Sequence, residues 1–265
     1  IRLIYELKDH IQTCRDTVDT TITVVVIPKN QIAGTVRIDT ASTQQTDSIK
    51  IWLYRLNTST NLFTAVDSLQ DFSRLYIPYY FNNHSTGTYI IRTAMISNQH
   101  NPYANLPTYF FPAYAWDKAY QLQHSGGESN ISGIVLKGGQ ANSGPGSISG
   151  TLRHVTKSGV TKTIPGMTVF LLNTAGDPIA YDYTDANGNY SFSNLPIGKY
   201  TVHPDEINFV TTPYTFNLTT SQPIRNGIDF KEYANPMVII PEPTGISDIH
   251  SAQLFSIAPN PATDV

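Results

Sequence analysis

The sequence predicts an all-β fold built as β-sandwich modules in tandem. Three observations carry that prediction. Charged residues make up only 14 % of the chain and aromatics 11 %, with 16 Tyr, 17 Gly and 17 Pro; this is the profile of short strands joined by turns. The Glu, Lys, Leu and Ala at 3.6-residue spacing that a helical protein needs are missing. The chain also repeats itself. Ile32-Ala33-Gly34-Thr35-Val36 returns as Ile148-Ser149-Gly150-Thr151-Leu152, Ile49 to Tyr54 returns as Met167 to Leu172, and Gly87-Thr88-Tyr89-Ile90-Ile91 returns as Gly198-Lys199-Tyr200-Thr201-Val202. The order is kept and the offset is roughly 110 to 118 residues, the size of one sandwich.

Residues 1–27 alternate in two strand-like runs, Leu3-Ile4-Tyr5-Glu6-Leu7 and Thr20 to Val26. Two strands bury too little to stand alone, so they are expected to end a module cut off upstream. A first sandwich is expected over 28–138, with an aromatic junction running from Leu106 to Trp116. Gly138 to Gly146 reads as a linker. The second sandwich is expected over 146–233. Within it, Asn187-Gly188 is a hairpin turn between Ala180 to Thr184 and Tyr190-Ser191-Phe192, because Asn-Gly accepts the positive φ that a tight hairpin demands. Pro236, Pro241 and Pro243 mark 234–253 as an extended tether, and 254–265 as a further unit.

Each repeated feature has a physical reading. A glycine inside the first strand of each copy permits a bulge or a close backbone approach. Val169 to Leu172 is a buried strand. Tyr89 and Tyr200 can bury a ring while keeping the hydroxyl near the surface.

The segment from Gly150 to Val202 resembles carboxypeptidase-regulatory-like and collagen-adhesin B-type modules, which have transthyretin-like folds. Gly150, Pro165, Val169, Leu171, Thr184, Asp185, Gly188, Tyr190, Phe192, Leu195, Gly198 and Tyr200 supply the pattern. Residues 1–27, through Tyr5, Leu7, Asp9, Cys14, Asp16, Thr17, Ile22 and Val24, resemble the last strands of a PKD-type immunoglobulin-like module. Pro259-Asn260-Pro261, preceded by Phe255 and Ile257, resembles the opening of the C-terminal sorting domain of type IX secretion in Bacteroidetes surface proteins. These resemblances imply tandem immunoglobulin-like and transthyretin-like sandwiches. They also imply a secreted or outer-surface location, the type IX machinery as a partner, and a spacing, presenting or adhesive role.

Composition narrows the function further. The net charge is −3 and no basic stripe occurs, so nucleic acid is not an expected partner. No run reaches the roughly 18 apolar residues of a membrane helix. The seven His residues are scattered, with neither a metal-binding pair nor a nucleophile elbow, so the chain is not expected to be an enzyme.

Two candidate sites remain. Tyr109 and Trp116, within the aromatic cluster, are candidates for stacking on surface glycans or extracellular polysaccharide. The competing reading has these rings filling the first sandwich and its junction with the second. Asp185, Asn187 and Asn189 alternate like the start of a calcium loop without its later acidic ligand; the competing reading is a polar hairpin tip. No cofactor other than this Ca2+ is expected.

Overall fold

The computed structural model describes residues 30–39, 48–72, 75–96, 101, 103–111, 113–140 and 143–242. The PKD-like strands of 1–27 and the sorting motif Pro259, Asn260 and Pro261 lie outside the described residues.

The fold is all-β, in two tandem sandwiches. The first contains β1 (Gln31–Ile38), β2 (Ser48–Asn57), β3 (Leu62–Phe72), β4 (Tyr76–Asn82), β5 (Gly87–Met95), β6 (Thr108–Tyr109), β7 (Leu122–His124) and β8 (Glu128–Leu136). One sheet has the order β4-β1-β8 and the other β3-β2-β5, with β6 and β7 both on β5. The second sandwich contains β9 (Gly146–Val155), β10 (Thr161–Thr163), β11 (Thr168–Leu172), β12 (Pro178–Tyr183), β13 (Asn189–Leu195), β14 (Gly198–Asp205), β15 (Val210–Thr211), β16 (Tyr214–Leu218), β17 (Ile224–Arg225), β18 (Phe230–Ala234) and β19 (Met237–Pro241). Its sheets are β12-β11-β14-β16 and a β9-centred sheet, in which β13 and β10 run antiparallel to β9 and β17 and β18 run parallel to it.

The repeat in the sequence is a repeat of topology. β1 and β9 each lie between an antiparallel strand (β4 or β13) and a parallel one (β8, or β17 and β18). β2 and β11 each run between β3 and β5, or β12 and β14. The side chains alternate as strands with one buried face require: β4 reads exposed, buried, exposed, buried along Tyr76, Ile77, Pro78 and Tyr79.

The two sheet-centre glycines share one device. Gly34 pairs with Tyr79, and Gly150 with Tyr190. The tyrosine hydroxyl donates across the glycine to a carbonyl on the far strand, Tyr79 to Ile131 at 3.0 Å and Tyr190 to Ile228 at 2.5 Å. A Cβ on Gly34 would lie 1.7 Å from the Ile131 oxygen, and one on Gly150 1.8 Å from the Ile228 oxygen. The glycine is therefore a close-approach residue. Burial of the phenols in these sites raises the pKa of both Tyr79 and Tyr190, so both hydroxyls stay protonated donors. A second device also repeats: Tyr89 donates to the Ser85 carbonyl at 2.6 Å and Tyr200 to the Pro196 carbonyl at 2.9 Å, each four residues back across the turn.

Two expectations about connections are corrected. The glycine-rich run after 138 is docked where it is described. Gly139 donates to the Tyr103 carbonyl and Gln140 to the Ile179 carbonyl, both at 2.7 Å, and a Cβ on Gly139 would meet the Ile179 oxygen at 2.2 Å. Its glycines give backbone proximity rather than slack. Met237–Pro241, expected in the extended tether, is instead strand β19, antiparallel to β18 and parallel to β15, with Ile239 in the core. The four apolar residues Met237 to Ile240 find a sheet to join, with Ile239 fully buried, and Pro236 and Pro241 stand at its ends.

Candidate functional site

The two sandwiches are joined by a buried polar junction. β14 ends at Asp205, which is 3 % exposed. Its Oδ2 accepts from the Tyr109 hydroxyl at 2.8 Å and its Oδ1 from the Trp116 backbone N–H at 2.8 Å. The Trp116 indole Nε1 donates to the Phe209 carbonyl at 2.6 Å. Arg92, on β5, donates to the Thr168 hydroxyl on β11. Its guanidinium also lies 5.6 Å from the Trp52 ring centroid and 6.0 Å from that of Tyr109, within cation–π range. Asn208 closes a two-way pair with Phe63: its Oδ1 accepts from the Phe63 N–H at 2.8 Å and its Nδ2 donates to the Phe63 carbonyl at 2.9 Å. Apolar packing flanks the network, with Leu106 against Phe170 and Tyr181, and Ile207 and Trp116 against Phe63, Ile90 and Tyr109.

The electrostatics follow from enclosure. Burial raises the Asp205 pKa, while Arg92 and the donors from Trp116 and Tyr109 pull it back down. Burial pulls Arg92 down, but its electrostatic interactions with Tyr109 and Asp205 hold its pKa above the ordinary value. Glu206, the next residue, is pushed up to about 7 by burial, against the opposing pull of Arg92. Arg92 Nε is out of solvent and makes no hydrogen bond. A single missing partner around this group would leave charge uncompensated.

Tyr109 and Trp116 therefore come together, as parts of this junction. Tyr109 is 2 % exposed, so no ring face is open for a sugar to stack on. Trp116 is half-buried with its N–H engaged. The expected stacking pair is corrected on this ground.

The calcium-like triplet is the tip of the turn between β12 and β13; the expected hairpin is corrected, because β12 pairs with β11 and β13 with β9, so the turn carries the chain from one sheet of the module to the other. Asp185 Oδ1 accepts from the N–H groups of Asn187 and Asn189, both at 2.8 Å, and Oδ2 accepts from Asn189 Nδ2 at 3.0 Å. These bonds hold the Asp185 pKa below its usual value, the Asn189 backbone bond most of all. Gly188 takes φ 78°. Its carbonyl accepts from Leu152 N–H, and a Cβ there would meet the Leu152 oxygen at 2.5 Å. Thr184 Oγ1 accepts from Met167 N–H at 2.9 Å and donates to the Ile164 carbonyl. The polar atoms of Thr184, Asp185 and Asn189 thus go to folding this turn. Among the described residues, no group of three or more His, Cys, Asp or Glu is placed to hold a metal ion.

A shallow cleft of about 550 Å³ lies beside this turn, lined by Ser149, Thr151, Asp182, Asn189, Ser191 and Asp229 among others. Asp182 Oδ2 accepts from Ser191 N–H at 2.9 Å, and Asp229 Oδ1 accepts from both the N–H and the hydroxyl of Thr151. These contacts tie the strands of the module to one another.

Sequence reasoning missed Arg92, Thr168, Asp205, Glu206 and Asn208 as junction residues. They carry no motif and come from three separate places in the chain, β5, β11 and the end of β14. The one available signal is Asp205 itself, an acid directly after the strand pattern of Tyr200 to Pro204.

The carboxypeptidase regulatory-like domain family matches residues 147–231, so the second sandwich carries such a domain. No curated protein matches the chain. Among solved structures, the chain is similar to the TIE protein of Bacillus anthracis at 11 % identity and TM-score 0.25, covering 80 % of this chain and 34 % of that one, so it spans about a third of that protein's length. It is similar to the minor pilin of Streptococcus agalactiae at 12 % identity and TM-score 0.27, covering 82 % of this chain and 98 % of that one. It is also similar to the major pilin subunit of Bacillus cereus at 8 % identity and TM-score 0.26, covering 81 % and 70 %. Among the described residues, no helix is long and apolar enough to cross a membrane.

Proposed function

We propose that this region is a non-catalytic, stiff spacer that presents other domains of an exported bacterial surface or secreted protein. The observation that supports this reading is the junction: Asp205, Arg92, Tyr109, Trp116 and Asn208 tie the two sandwiches through buried and part-buried hydrogen bonds, where a flexible tandem would carry a solvated linker. The motif residues from Thr184 to Tyr200 serve the scaffold, which supports a structural role over a chemical one.

Stiffness is measured by pulsed electron–electron distance spectroscopy between spin labels on Ser68→Cys and Lys157→Cys, exposed positions on separate sandwiches, in a Cys14→Ser background. A single narrow distance distribution is expected. A broad one would refute the spacer reading. Pro259-Asn260-Pro261 supports export through the type IX machinery. Pro259→Ala with Asn260→Ala in the full reading frame is expected to retain the protein inside the native cell, and unchanged export would remove that part of the proposal.

A further inference from the structure

The segment that builds the junction also holds three rings the junction does not use. Phe110 packs by one side on the first core. Phe111 is 70 % exposed and Tyr120 48 %. The ring centroids are 6.5 Å apart for Phe110 and Phe111, 5.4 Å for Phe110 and Tyr120, and 6.2 Å for Phe111 and Tyr120.

Phe111 adopts φ 63°, in the left-handed region. Among the described residues, every other non-glycine with positive φ is an asparagine: Asn61, Asn83, Asn105, Asn194 and Asn208. Asparagine tolerates that region because its short side chain bonds locally. Phenylalanine has no such compensation and is strained there. A surface turn shaped for stability alone would carry Gly or Asn. Here the chain accepts backbone strain and an apolar ring in water at once.

Backbone hydrogen bonds hold the chain on either side of Phe111. Tyr109 N–H donates to the Ala113 carbonyl at 2.7 Å, Phe110 N–H to the Ile91 carbonyl at 2.9 Å, and Tyr120 N–H to the Phe110 carbonyl at 3.4 Å. The rings therefore need little ordering on binding. Exposed Asp117, Lys118 and Gln121 flank Tyr120 in the chain and offer donors and acceptors.

We propose that Phe111 and Tyr120 form a platform that stacks on the apolar C–H face of a pyranose in a neutral oligosaccharide. The proposal goes beyond the spacer reading and does not depend on it. A protein partner fits less well, because a specific interface takes about 800 Å² per side and two exposed rings with a polar surround offer far less. A sugar ring needs only a rigid aromatic face and nearby hydrogen-bonding groups.

The whole chain is titrated with cellohexaose, laminarihexaose and chitohexaose, read by NMR shifts and calorimetry. At least one is expected to bind, with Phe111→Ala and Tyr120→Ala each weakening affinity tenfold or more. Phe72→Ala, which removes an exposed ring on the opposite edge of that sheet, is expected to leave affinity unchanged. Phe111→Gly separates function from folding. It relieves the left-handed strain, so the thermal midpoint is expected to rise by about 2–4 °C, while sugar binding is lost. Any of four results overturns the proposal: no binding to any of the three at millimolar sugar; unchanged affinity in Phe111→Gly; a lower midpoint in Phe111→Gly, which makes the ring a packing element; or a self-association of the wild type that Phe111→Gly abolishes, which makes the patch a contact between copies.

Discussion

Asp205→Ala should be the most damaging single change at the junction. The carboxylate accepts two hydrogen bonds, from Tyr109 and Trp116, at 2.8 Å each, and compensates Arg92. Removing it orphans a buried hydroxyl and the Trp116 N–H, at about 1–3 kcal/mol each, and takes away the charge that compensates buried Arg92, where an uncompensated buried charge costs about 3–5 kcal/mol. These costs overlap, since they describe one group. Arg92 also keeps Thr168 and the Trp52 and Tyr109 rings, which places the expected loss near the low end, at about 3–4 kcal/mol. Burial of Asp205 opposes its ionisation, so the pair gives less net stability than its breakage costs. Replacing both partners, as Arg92→Met with Asp205→Leu, should therefore cost much less than Asp205→Ala alone. The assay is urea unfolding followed by tryptophan fluorescence; the only two Trp of the chain are Trp52 and Trp116, one beside Arg92 and the other on Asp205. With a slope of about 2 kcal/mol/M, the midpoint should fall by about 1.5–2 M. A loss below about 1 kcal/mol, or a double variant as unstable as the sum of its parts, would refute the reasoning.

Other predictions test the fold and its titration. Gly34→Ala and Gly150→Ala should each destabilise by about 3 kcal/mol or more through overpacking, since a Cβ would lie within 2 Å of a carbonyl oxygen; thermal unfolding checks this, and near-neutral values would reject the close-approach reading. Leu195→Ala, which empties a fully buried site between the sheets, should cost about 2–5 kcal/mol in the same assay. Glu206 has a folded pKa raised from 4.5 to about 7, so its contribution is fully present below pH 4.5 and is lost as pH rises through 7. Glu206→Gln should remove a decline worth roughly 2–3 kcal/mol after allowance for residual solvent contact, seen as a flatter plot of urea midpoint against pH between 5 and 8. Asp185 has a lowered folded pKa, so its contribution is present above the unfolded value and lost as pH falls through the folded one. Asp185→Ala should lower the thermal midpoint at neutral pH but not at strongly acidic pH, and added Ca2+ should leave the wild-type midpoint unmoved.

How much was legible depends on how local the causes were. The turn at Asp185 to Asn189 could be read residue by residue, because Asp185, Gly188 and Asn189 bond within four positions; that it joins two sheets instead of closing a hairpin could not, because the partners of β12 and β13 lie elsewhere in the chain. The strand repeat could be read because burial on one face leaves a period of two. The fourth equivalence, Tyr79 and Phe81 with Tyr190 and Phe192, was in the sequence but hidden, since the second copy has the Asn-Gly turn before it and the first does not. Tyr109 and Trp116 stood out as aromatics, yet aromatic character does not say whether a ring faces solvent or a neighbouring module. Phe111 and Tyr120, in the same stretch, turned out to be the exposed ones.

By itself the sequence determined the all-β class, the two-module repeat, the regulatory-like pattern of the second module and the turn chemistry at Asp185 to Asn189. These follow from alternation, glycine placement and short-range hydrogen bonding, which the order of residues encodes directly. The tertiary structure alone decided that the modules lock at Asp205, that the glycine-rich connection is docked, and that Met237 to Pro241 completes a sheet. Each of those depends on partners far apart in sequence, such as Arg92 with Thr168 or Phe63 with Asn208, and only the enclosed space between two folded sandwiches makes such partners meet away from water.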